Sequence, residues 1–375
     1  MAFKPKVQKI ELENEESDII AVIDADWPVY SVASVGDDDY IVVTHTESGT
    51  KQEFKNVTEF KGRSNKVLGG WLAERNIQRS KKKLPLYSLE DFTIEACKKR
   101  KVEYDDSGDP LSQDDSDRNI FHSAKSMIMS CLNSLGAGQY VAYHGGSGLY
   151  RLNRSTLMEY KGNRKDVVKP IMFPDVLDYI VKRFKSEKVE GDIETDDMVV
   201  MVAYQKPNHV VVGVDKDFRG QPIKFFDYNN QDEGIIDGDC FGELEWYPAP
   251  KNKVSGFGRL FMYYQMLSGD ATDNYKTNCF SDTRWGAKSV YDSLVDCKDD
   301  HEAWVMMVRC MKNLYPEPIK VKGWRQKTAT LNIDWLYVLN EMFVMARMLR
   351  FEGDDKTTMQ DWMKELGLNP DRILV

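Results

Sequence analysis

Little in this chain points to soft-metal or disulfide chemistry. Its 375 residues include six cysteines (Cys97, Cys131, Cys240, Cys279, Cys297 and Cys310) and five scattered histidines. No two cysteines form a C-x-x-C pair, and their spacings suit neither a zinc site nor a disulfide framework. Free thiols in a reducing compartment are therefore expected. No apolar run approaches the ~20 residues that a membrane-spanning helix needs. The opening segment (AFKPKVQKIELENEES) lacks the basic, apolar and small-residue pattern of a signal peptide, so a cytoplasmic protein with no membrane partner is expected. Positive charge is not in surplus either. The net charge is −9, which on its own argues against a nucleic-acid partner.

What remains is an ordinary globular composition, 42% apolar and 30% charged, with eight Trp and 18 Tyr. That excludes broad disorder. Lys and Arg are concentrated at 79–83 (RSKKK), 98–101 (KKRK), 161–169 (KGNRKDVVK), 182–188 and 320–327. Each run alone reads as a solvated face. Buried strands are expected at 18–24 (DIIAVID), 139–143 (QYVAY), 209–214 (HVVVGV) and 223–228 (IKFFDY), with a hairpin over 40–57. Helices are expected at 119–135, 174–185 and 195–205, and from Phe257 onward at 257–268, 286–297, 299–314, 331–350 and 358–366. Residues 61–118 read as a polar insertion or a set of surface elements. Strands alternating with helices, then helices alone, predict an α/β domain with a helical C-terminal region.

Four groups of acids share one layout. Asp24 and Asp26 follow the strand IIAVI. Glu194, Asp196 and Asp197 open a helix. Asp215 and Asp217 follow VVVGV, and Asp270 and Asp273 follow an apolar helical run ending in Ser268-Gly269. Residues i and i+2 on extended chain face the same way. Residues i and i+3 at a helix start share a face. In open α/β sheets the carboxyl ends of the strands line the ligand crevice, so the four groups can converge at one edge. Taken singly, each pair reads as a cap or turn. Taken together, nine carboxylates repel one another unless they protonate or bind cations. All-oxygen ligands select hard ions such as Mg²⁺ or Mn²⁺. Two ions roughly 4 Å apart suit in-line displacement at a phosphodiester. The charge balance agrees: setting nine site acids aside leaves 51 of the 60 acids, equal to the 51 bases, with basic patches free to meet a phosphate backbone.

The order VIDAD (22–26), YKGNR (160–164), ETDD (194–197), VDKDF (214–218) and SGDATDN (268–274) resembles the 5′→3′ exonuclease and flap-endonuclease family. The likeness is nearest to bacteriophage-encoded members and to the 5′-nuclease domain of bacterial DNA polymerase I, and it covers roughly residues 18–300. The resemblance implies a central, mostly parallel sheet flanked by helices (a PIN-like 5′-nuclease core) and a helical C-terminal region with a helix–three-turn–helix element. It divides the chain into a nuclease core over 1–256, with a helical arch near 150–172, and a DNA-binding helical region over 257–375. It implies Mg²⁺-dependent hydrolysis of DNA, and of RNA–DNA hybrids as a further substrate, leaving 5′-phosphates. The setting would be phage DNA replication or recombination in the host cytoplasm. Asp24, Glu194 and Asp196 match ligands of one metal, and Asp215, Asp217 and Asp270 those of the second. Asp197 and Asp273 fall close to both or act through water, and Asp26 has no counterpart in many relatives. Lys161 and Arg164 match a basic pair that grips the scissile phosphate. Arg151, Arg154 and Lys165 are further phosphate contacts. Gly286 and Lys288 match a Gly-x-Lys helix start that holds DNA backbone beside a K⁺ ion.

Two departures stand out. Where relatives carry another metal-binding Asp, this chain reads His144-Gly145-Gly146-Ser147-Gly148, so either Asp26 compensates or metal binding there is altered. The turn after SGDATDN (YKTNCFSDTR) is also unlike the family's. A PIN-like ribonuclease and an inactive nucleic-acid-binding module of the same fold are the competing readings.

Overall fold

The computed structural model describes residues 6–9, 17–326 and 328–375; Lys327, the end of one basic run, lies outside them. The chain forms two compact units, one of residues 1–27, 126–165 and 180–375, the other of 28–125 and 166–179. It crosses between them at 27/28, 125/126, 165/166 and 179/180.

The first unit is built on a seven-stranded, parallel-rich sheet. Ile20–Asp24 is central, parallel to Gln139–His144 on one side and to His209–Gly213 on the other. Lys224–Asp227 continues the parallel set beyond His209–Gly213, and Glu187–Lys188 pairs parallel with the end of Gln139–His144. Antiparallel strands close the edges, Gln8–Lys9 and Ile235–Asp237. The valine-rich central strands are covered on both faces, as parallel strands must be. Val22, Val141 and Val211 are buried against Val199, Val200 and Val202 of the helix Thr195–Ala203.

From Gly258 the chain is mainly helical: Gly258–Ser268, Ala287–Leu294, Asp300–Leu314, Trp335–Ala346 and Met359–Glu365. These helices share one core around Tyr263, Trp304, Met307, Leu339 and Phe343. Asp299 and Asp334 cap the starts of the helices they precede by accepting from Glu302 N–H at 2.9 Å and Tyr337 N–H at 2.8 Å. The helix expected over 331–350 begins later than its apolar spacing suggested. Leu331–Ile333 is a strand paired with Ile319–Val321, and Asp334 marks the true start.

In the second unit, Asp37–His45 pairs antiparallel with Lys51–Phe54 and with Phe92–Arg100. The helices Val57–Lys61 and Gly70–Lys81 cover it through Phe60 and Leu72. The polar 61–118 stretch thus supplies both a helix and a sheet strand. Among the described residues, no helix is long and apolar enough to cross a membrane.

Candidate functional site

The acids reach one edge of the sheet because short side-chain-to-backbone turns stop each element there. Asp24 ends its strand, and its Oδ1 accepts the Asp26 N–H at 2.9 Å. Asp215 follows His209–Gly213 and accepts from Asp217 N–H at 2.9 Å, turning the chain into Lys216–Gly220. Asp270 accepts from Thr272 N–H at 2.6 Å, and its backbone pairs with Tyr275 to close the DATDN loop. Glu194 caps the helix Thr195–Ala203.

Cations from two segments lie among these acids. Tyr160 donates one hydroxyl bifurcated between Glu194 and Asp273, 2.8 Å from each. The Lys161 ammonium donates to Glu194, and Arg164 donates to Asp273 at 2.7 Å. Lys216 donates to Asp270 and lies 3.3 Å from Asp217. Gln265 donates to Asp217. Among the described residues, no three His, Cys, Asp or Glu side chains form a ready-made metal shell.

The electrostatics show that these cations fall short of the acid charge. Burial, then the neighbouring Asp26, pushes Asp24 up to about 8. Burial, then Asp215, pushes Asp217 up to about 7. Asp196 is raised well above the carboxylate range by burial and by Asp24 and Asp215. Asp215 is raised by burial against the opposing pull of the Asp217 amide and Lys216. Burial also works against Glu194 and Asp270, but Arg151 and Lys161 hold the first below its ordinary value and Lys216 the second. Hard, buried, all-oxygen carboxylates in excess of their cations fit divalent Mg²⁺ or Mn²⁺.

A carboxyl raised in the folded state gives stability that is complete below the unfolded value near 3.8 and is lost as pH climbs through the folded values of about 7 and 8. The melting temperature in EDTA is therefore expected to fall from pH 4 toward pH 8. Mg²⁺ should restore it at pH 8 and do little at pH 5. A melting temperature flat across this range in EDTA contradicts the charge balance described here.

Not every expected ligand faces the same way. Asp197 is fully buried and takes a two-pronged contact from Arg151, 2.8 Å on each arm. It also accepts from Leu349 N–H at 2.9 Å and Glu194 N–H at 3.1 Å. Arg151 is itself 3% exposed, and its remaining bonds go to Glu194 and the Arg347 carbonyl, both at 2.8 Å. The pair is tied to the carboxylate cluster through Glu194. Asp26 is occupied as well, accepting from Gly145 N–H at 3.0 Å and from the Thr195 hydroxyl at 2.6 Å.

These bonds seat the acid-free His144–Gly148 turn. Gly146 N–H donates to the Thr195 hydroxyl at 3.0 Å, and Ser147 N–H donates to the Ile193 carbonyl at 2.9 Å. A Cβ on Gly146 would run into the backbone of Glu194 and Thr195. Gly146→Ala is therefore expected to cost about 1–3 kcal/mol in urea unfolding, as overpacking does. A neutral result would mean that the turn does not depend on this close approach.

The other expected contacts lie at the margins. Arg154 is 3.6 Å from Asp355, and Lys165 is 2.7 Å from Glu159. Gly286 precedes the helix Ala287–Leu294, where Lys288 pairs with Asp292. Tyr160, Lys216 and Gln265 were not among the expected site residues. The first two stand inside motifs already singled out, and their signal was adjacency to named residues. Compared with family models, with curated proteins and with solved structures, the chain finds no match in any of the three.

Proposed function

We propose that this chain is a divalent-cation-dependent 5′ nuclease that hydrolyses DNA phosphodiesters. The observation that carries the reading is the gathering of Asp24, Glu194, Asp196, Asp215, Asp217, Asp270 and Asp273 at the carboxyl edge of a parallel sheet, four of them with raised pKa values. The order of their motifs supports the 5′ polarity, and the sheet supports a PIN-like 5′-nuclease core. The helices Gly258–Ser268 and Ala287–Leu294, with the loop between them, are assigned to the helix–three-turn–helix element.

In this reading Asp24, Asp196, Asp215, Asp217 and Asp270 hold the Mg²⁺ ions, which supply Lewis acidity at the phosphate. Lys161 and Arg164 are the groups that meet the phosphate charge, since both project from one short turn onto acids of the cluster. Tyr160 is a positioning residue: its hydroxyl spaces Glu194 from Asp273 and keeps both pointed at the cluster. Lys216 offsets charge between Asp217 and Asp270.

The test is cleavage of 5′-labelled flap, nicked and blunt DNA duplexes, with matched RNA and RNA–DNA hybrids, in Mg²⁺ or in EDTA. Mg²⁺-dependent cleavage of DNA that leaves 5′-phosphates is expected. Failure to cut any substrate would falsify the proposal, and cleavage of RNA alone would favour a PIN-like ribonuclease.

A further inference from the structure

The second unit carries a helix–loop–helix made of Val57–Lys61, the loop 62–69 and Gly70–Lys81. Between residues 61 and 83 stand eight lysines and arginines against a single acid, Glu74, in a chain of net charge −9. Elsewhere in the same unit three cations are paired, Lys98 with Asp39, Arg100 with Asp117 at 2.7 Å, and Arg118 with Asp115 at 3.4 Å. The eight have no carboxylate partner among the described residues.

The loop is held rather than loose. Gly62 and Gly69 approach backbone to backbone, and Gly62 (φ +78°) and Gly70 (φ +55°) adopt the left-handed region that favours glycine. Gly69 N–H donates to the Lys61 carbonyl at 2.8 Å. The Ser64 hydroxyl accepts from the amides of Lys66 and Val67 at 3.0 and 3.2 Å. Arg63 and Lys66 are thereby presented outward. On the following helix, Arg75 lies over Trp71 at 5.4 Å, and Arg79 over Tyr87 at 3.9 Å. Lys81 ends the helix, and it and the following Lys82 and Lys83 are exposed.

We propose that this helix–loop–helix is a docking surface for the phosphate backbone of duplex DNA, read without regard to sequence. Duplex DNA offers about one negative charge per 1.7 Å of axis, and unpaired cations on such a backbone release its condensed counterions. A membrane surface fits less well. Leu72 turns into the unit's core with Trp71 packed against it, and the exposed apolar side chains Val57, Val67 and Ile77 each stand singly between polar or charged neighbours or turned-in residues, so the element has no continuous apolar face to insert. The choice of DNA over RNA rests on the reaction proposed above; the surface itself does not.

The test uses the full chain in EDTA, so that cleavage is blocked, and follows the anisotropy of a labelled DNA duplex over a range of salt. Two double variants, Arg63→Gln with Lys66→Gln and Lys81→Gln with Lys82→Gln, sample the loop and the helix end separately. Each is expected to weaken binding by about tenfold or more and to flatten the log affinity against log salt slope by roughly 2. Their melting temperatures should match wild type, and the pair Lys356→Gln with Lys364→Gln on the first unit should change nothing. Unchanged slopes in both doubles overturn the proposal. So does a loss confined to phosphatidylglycerol vesicles, polyglutamate or duplex RNA. Because nothing here reads cleavage, a chain that binds as expected but never cuts overturns the nuclease and leaves this surface standing.

Discussion

Asp196→Asn is expected to abolish Mg²⁺-dependent cleavage and yet raise the melting temperature in EDTA. Burial, and then the charges of Asp24 and Asp215, push the proton affinity of the Asp196 carboxyl well above the ordinary range. An amide of the same shape removes that repulsion, so the folded state gains. Cleavage loses a cation ligand, and a transition-state loss of several kcal/mol corresponds to a rate falling on the order of 10³-fold. The two readouts move in opposite directions, the expected mark of a site that sacrifices stability for chemistry. A variant that melts earlier and keeps its rate would remove Asp196 from the proposed machinery.

The second large effect concerns stability alone. Arg151→Met is expected to cost about 3–5 kcal/mol, because it leaves Asp197 charged, buried and without its partner. Adding Asp197→Leu should recover part of the loss, since removing both halves of a buried pair is milder than removing one. Lys165→Met, which breaks an exposed contact with Glu159, is expected to stay within about 0.5 kcal/mol of wild type. Urea unfolding of the four proteins separates these outcomes. Equal midpoints for Arg151→Met and Lys165→Met would show that the buried contact does not support the fold.

Arg151 also shows where sequence reasoning reached its limit. On its own segment it is one of several basic residues beside a Gly-rich turn, indistinguishable from Arg154. Its burial follows from Asp197, 46 residues later, and from the Arg347 carbonyl, 196 residues later. No local pattern encodes partners that far apart. Asp197 was similarly ambiguous. The fourth residue of ETDD can face a ligand or fold back onto the Glu194 amide, and here it folds back. The parallel strands were legible because unbroken valines have few other places to go. The strand Phe92–Arg100 was not, because it lies at a sheet edge with five of its nine residues polar or charged, so it reads as surface. Leu331–Ile333 was absorbed into a helix because two apolar residues around Asn332 are too few to separate one period from the other.

The stretch from Ala346 to Asp354 runs behind the site. Leu349 N–H holds Asp197, Met348 N–H holds Gln221 at 3.0 Å, and the Arg347 carbonyl holds Arg151. Arg347 and Arg350 in turn converge on the fully buried Asp354. Every candidate ligand lies before residue 274, but the stretch that holds Asp197 and Arg151 comes some seventy residues later. A chain ending before Arg347 would keep the contacts from Tyr160, Lys161 and Lys216 but lose the bonds that hold Asp197, Arg151 and Gln221. The cleavage proposed above is thus expected to depend on residues far beyond the last candidate ligand, in a stretch that carries no ligand of its own.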